Sequence, residues 1–120
     1  MATQNIFSIE TMKACNGNAA TDGPYLKWFL QECISQLEGA AKDIAHIADG
    51  QVSFTADTLA FARAKLGAVR LHSDALIQCG NWFNPGKPFI GKQFVEAGQA
   101  TSATAAKAES DFKKLSAWLA

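Results

Sequence analysis

Apolar side chains recur every three or four positions along three long stretches of this chain, the spacing that gathers them on one face of an α-helix. In the first stretch they are Leu26, Leu30, Cys33, Leu37, Ala40, Ile44 and Ile47, with Phe29, Ile34, Ala41 and Ala48 widening the stripe. Trp28, Glu32, Ser35, Gly39, Lys42 and His46 fall on the opposite, mostly polar side. The run opens at Thr21-Asp22-Gly23-Pro24, where Asp22 suits a cap and proline fits the first turn. It closes at Asp49-Gly50, so the pattern predicts one helix between these signals.

The second stretch predicts a helix from a Ser53 cap to Cys79, with Gly80-Asn81 as the stop. It carries two apolar stripes. Leu59, Ala62, Leu66, Val69 and Leu76 form one, and Phe61, Ala64, Ala68, Leu71 and Ala75 form the other. Both stripes need cover, which makes this helix the centre of a bundle or places it between its own core and a second chain.

Residues 80–91 hold two of the three prolines and three of the nine glycines, together with Trp82, Phe83 and Phe89, and read as an aromatic turn. A third helix follows from about Lys92 to Leu119, with a seam of Phe94, Ala97, Thr101, Ala105, Ala108, Phe112, Leu115 and Leu119. The small residues in the middle of that seam admit a close neighbour or leave room beside it. Ahead of the three helices, Ile6-Phe7-Ser8-Ile9 is an apolar knot followed by turn chemistry from Asn16 to Gly23. Ser8 to Cys15 suits about two helical turns capped by Ser8, but the expectation favours Ile6, Phe7 and Ile9 folding back over the bundle as a lid rather than forming an independent element.

The expected fold is therefore all-α: an antiparallel bundle of three long helices with a short N-terminal helix or lid. Residues 1–22 form the lid and its loop and residues 23–120 the bundle, one domain in a chain of 120 residues.

Composition narrows what such a bundle does. Only 18% of the residues are charged and the formal net charge is +0, so no global field attracts nucleic acid, while the sparse charge suggests a covered surface. Arg63, Lys65 and Arg70 read as a solvated helix face, with Asp74 the partner of Arg70, and Lys107 as a solvated position whose loss does little. Cys15, Cys33 and Cys79 have neither zinc spacing nor a C-x-x-C pair. With no apolar run long enough to span a membrane and no leader pattern, an unprocessed cytoplasmic chain is expected.

Catalytic constellations are missing from the sequence. His46 and His72 lack a helical metal partner and read as surface residues, Cys33 as a buried apolar residue, Cys79 as an unactivated thiol and Cys15 as the most exposed of the three. The run Arg63-Ala64-Lys65-Leu66-Gly67 resembles the helix of phosphorelay transfer domains, but the position of that family's phosphoacceptor histidine is not histidine, and the resemblance stops there.

The expectation is a non-enzymatic protein-interaction module, a small regulator, inhibitor or accessory protein that self-associates or binds another protein, with no cofactor and no metal. The candidate contact residues are Trp28, Phe61, Leu71, Trp82, Phe83, Phe89 and Trp118, because large aromatic and aliphatic anchors carry most interface energy. The alternative is a bundle that holds an apolar small molecule beside the small seam of the third helix.

Overall fold

The computed structural model describes residues 6–15, 23–83 and 88–118, with the side chains of Pro88, Phe89 and Trp118 excepted. Its helices are α1 (Ile9–Lys13), α2 (Gly23–Ala48), α3 (Ala56–Phe83) and α4 (Pro88–Trp118). The three long helices pack against one another, each antiparallel to the next in the chain, so that α2 and α4 run parallel. Lys65 of α3 meets Asp43 of α2, and Arg70 of α3 meets Glu109 of α4. Gly98 of α4 lies beside Leu76 of α3.

Helix boundaries follow local chemistry closely. Gly50 takes φ +77°, and the Gly50 and Gln51 amides donate back to the Ile47 and His46 carbonyls, so glycine closes α2 as a left-handed cap. The predicted Ser53 cap of α3 is displaced to Thr55. The Thr58 amide donates to Thr55 Oγ1 while the Thr55 amide donates to Thr58 Oγ1 at 2.7 Å, a reciprocal pair that satisfies two amides at once. The expected cap Asp22, the turn residues Asn16–Thr21 and 84–87, and the end of the third helix at Leu119 lie outside the described residues.

Gly80-Asn81 does not end α3, which continues to Phe83, and α4 begins at Pro88 instead of near Lys92. The reason is packing. A Cβ on Gly80 would stand 2.9 Å from Val95 Cγ2 and 3.7 Å from the Gly91 carbonyl, so this glycine lets α3 and α4 close together and is not needed for a left-handed turn.

Among the described residues the core has two apolar clusters. One joins Leu37, Ile44, Ile47, Leu59, Leu66, Val69 and Leu115. The other, at the end where α2 and α4 begin, joins Met12, Leu26, Phe29, Cys33, Leu76, Cys79, Phe83 and Phe94. His72 and Thr101 are buried at the level between them. Each is satisfied by its own helix: His72 Nδ1 is 2.7 Å from the Ala68 carbonyl, and Thr101 donates to the Ala97 carbonyl at 2.9 Å. His72 is therefore an interior residue, not the surface residue its sequence context suggests. A carbonyl only accepts, so the ring carries a proton on Nδ1.

The N-terminal segment combines what the sequence offered as alternatives, a lid and a short helix of five residues. Ser8 caps α1 by accepting from the Thr11 amide, and Met12 is wholly buried. Phe7 stacks on Phe29 with ring centroids 4.5 Å apart and lies tilted against His72, with centroids 4.9 Å apart. Tyr25 Oη donates to the Ile6 carbonyl at 2.6 Å, and Lys13 Nζ lies 5.1 Å from the Trp82 ring centre. The lid thus lies across the α2–α3 side of the bundle.

Candidate interaction surface

The two stripes of α3 meet different fates. Leu59, Ala62, Leu66, Val69 and Leu76 are buried against α2 and α4. In the second stripe Ala75 is buried, in the same cluster as Met12 of the lid. Beyond the lid the stripe opens: Phe61 is 48% and Leu71 55% exposed, Ala64 is exposed and Ala68 half-buried. The extra flank is consumed by the chain's own N-terminal segment at one end and left bare at the other.

Among the described residues the large apolar side chains left exposed are Ile6, Val52, Phe61, Leu71, Ile77, Trp82 and Val95. Four of these seven belong to α3. Of the residues singled out from the sequence, Phe61, Leu71 and Trp82 are at the surface and Trp28 is half-buried, tilted against Tyr25. Phe83 is core: it is 3% exposed and stacks on Phe94, because α3 continues through the expected turn and points it inward. Phe89 and Trp118 fall on α4, but their side chains lie outside the described residues. Trp82 and Phe61 each carry a lysine over one ring face, Lys13 and Lys65 respectively, at 5.1 Å.

Sequence reasoning missed the other flank of α3. Ile77, 56% exposed, and Val95, 40% exposed, stand on opposite walls of a groove between α3 and α4 with a volume of about 360 Å³. Leu76 and Phe94 line it from the core side, Gly98 and Ser102 leave it open, and Asn81 and Gln99 supply its polar edge. The small α4 seam gave half the signal. The rest needed Gly80, which sets the helices close enough for the walls to form. Further along the same seam, Arg70 makes a two-pronged bridge to Glu109, Nε to Oε1 at 2.6 Å and the second guanidinium nitrogen to Oε2 at 2.8 Å, replacing the expected Asp74 pairing. That bridge holds the Glu109 carboxyl below its ordinary value and lifts Arg70 further.

The thiols offer little reactivity. Burial pushes Cys33 up to about 12, with Glu32 adding to the shift, and Cys79 likewise up to about 12, with Cys33 adding to it. Cys15 is half-buried at the lid edge, its thiol 3.6 Å from the Thr11 carbonyl. The Tyr25 phenol beside it is raised, first by burial and next by Cys15.

Among the described residues no group of three or more His, Cys, Asp or Glu side chains gathers to hold a metal ion. Among them, too, no helix is long and apolar enough to cross a membrane. Compared with protein-family models, curated proteins and solved structures, the chain finds no match.

Proposed function

We propose that this chain is a non-enzymatic protein-interaction module, a small regulator or accessory protein that self-associates or binds another protein through the flanks of α3. The observation that supports this is the exposure of Phe61, Leu71, Ile77 and Trp82 on one helix after both neighbours and the lid have packed against it. Helix flanks of this kind serve recognition well, since the backbone is already ordered and association costs little further conformational entropy. The buried, unactivated thiols of Cys33 and Cys79 suit a reducing compartment, and the cytoplasm is the location we propose.

Light scattering coupled to size exclusion tests this reading together with acrylamide quenching of tryptophan. A mass above 12.8 kDa at micromolar concentration supports it. A strictly monomeric mass with every tryptophan shielded from quencher counts against it.

A second reading has its own support in the α3–α4 groove, whose volume lies at the lower end of the range for small-molecule sites and whose walls are apolar. An apolar ligand carried there would appear in the absorption spectrum or as a mass released on denaturation. A colourless sample that releases nothing removes this alternative.

A further inference from the structure

We infer that the α3–α4 seam is a two-fold interface with a second copy of this chain, each copy seating its Ile77 in the gap above the other's Gly98. This rests on the interaction-module reading and adds the face, the occupant and the symmetry. Three observations carry it.

The first is self-complementary shape. Ile77 projects from α3 at the same level as the gap on α4, since a Cβ built on Gly98 would meet nothing closer than Leu76 Cβ at 3.9 Å. Knob and hole therefore lie on one face, on opposite sides of one groove, as an isologous contact requires. A two-fold axis running along the groove lays α3 of one copy over α4 of the other without changing levels along the helices. Each Ile77 then faces the opposing Gly98.

The second is charge. The described residues lining the groove, from Leu76 to Ser102, are uncharged, so among them two copies meet without like-charge repulsion. Further along the seam Arg70 and Glu109 face each other at one level. The same axis that seats Ile77 brings Arg70 of each copy opposite Glu109 of the other, with the Asp74 carboxylate of each copy beside the pair.

The third is area. The chain exposes 7382 Å², against about 6,300 Å² for a compact monomer of this mass. Its radius of gyration is 16.5 Å, against about 14 Å for a globule of this length. The excess, roughly 1,100 Å², belongs to the elongated molecule as a whole and leaves surface for a second copy to cover.

Sedimentation velocity over a concentration series on wild type, Ile77→Asp, Gly98→Leu and Leu71→Asp tests the inference, with circular dichroism to establish that each variant is folded. All three positions are outside the fully buried core, so helicity is expected to persist. Wild type should sediment as a dimer. Ile77→Asp and Gly98→Leu should weaken dimerisation at least tenfold, and Leu71→Asp should leave it intact. A dimer indifferent to Ile77→Asp overturns the seam. So does a dimer broken by Leu71→Asp alone, which would move self-association to the open stripe and leave the interaction reading standing. A wild-type monomer at every concentration overturns the seam as well, whether a heterologous protein or an apolar small molecule proves to occupy it.

Discussion

Asp111 is buried, and its carboxylate sits 2.6 Å from Lys107 Nζ one turn earlier on α4. Lys107 itself is largely exposed, which is why its position reads as a dispensable surface lysine in the sequence. The bond lifts Lys107 above its ordinary value, led by the hydrogen bond to Asp111. Lys107→Ala leaves a buried carboxylate without its cation, so a clear fall in melting temperature is expected, checked by thermal denaturation, in place of the small effect the sequence suggests. The Arg70–Glu109 bridge gives a pH-dependent counterpart. Because the Glu109 value is lowered on folding, the bridge stabilises the fold fully above the ordinary carboxyl value of 4.5 and loses that effect as pH falls through the lowered value. Arg70→Ala should therefore melt slightly below wild type at neutral pH. The gap should be small because both side chains are exposed, and it should close in acid. The Lys107–Asp111 pair has the local i,i+4 spacing, but the Arg70–Glu109 pair does not: Asp74 stands at the favoured distance from Arg70 in sequence, yet the closely packed α4 presents Glu109 in better geometry.

At the scale of elements, the helices were legible because one-sided burial imposes a period, and α2, α3 and α4 each show it. Their ends were less so. Gly50 closes α2 because only a cap explains a glycine after the last buried turn, whereas Gly80 sits inside α3 because a neighbouring helix needs its missing side chain. The same residue type serves two purposes that differ only in tertiary contact. The lid was readable from Ser8 and the Ile6-Phe7-Ile9 knot, but its place over Ala75 was not, since the second stripe of α3 offers no mark separating the covered part from the bare part. Met12→Ala removes the lid's wholly buried anchor. It should cost about 2 to 5 kcal/mol of lid closure. Faster alkylation of Cys79, and faster amide exchange in α1 than in α2, would register that loss.

For the whole molecule, α3 is the central helix, and Leu66, 2% exposed, is at its heart. Leu66→Asp would bury an unpaired charge there. Loss of the cooperative thermal transition is expected, with circular dichroism as the check. The principal-axis extents, 50 × 30 × 19 Å, describe a slab only about two helices thick. Each long helix touches the other two, so α3 is covered on the sides that face α2 and α4 and open on the rest, and this geometry, more than any single side chain, leads to the expectation of a partner. The sequence pointed to Phe61, Leu71 and Trp82 through spacing and composition. The Ile77–Val95 groove was hidden because its walls come from two helices and its depth from two glycines, none of which stands out in one dimension.

Hydrogen exchange followed by mass spectrometry at a low and a high protein concentration measures this surface directly. Paired copies should show slower exchange at high concentration in peptides covering 70–82 and 92–102, with α2 unchanged. Identical exchange in those peptides at both concentrations would contradict self-association along the α3–α4 seam.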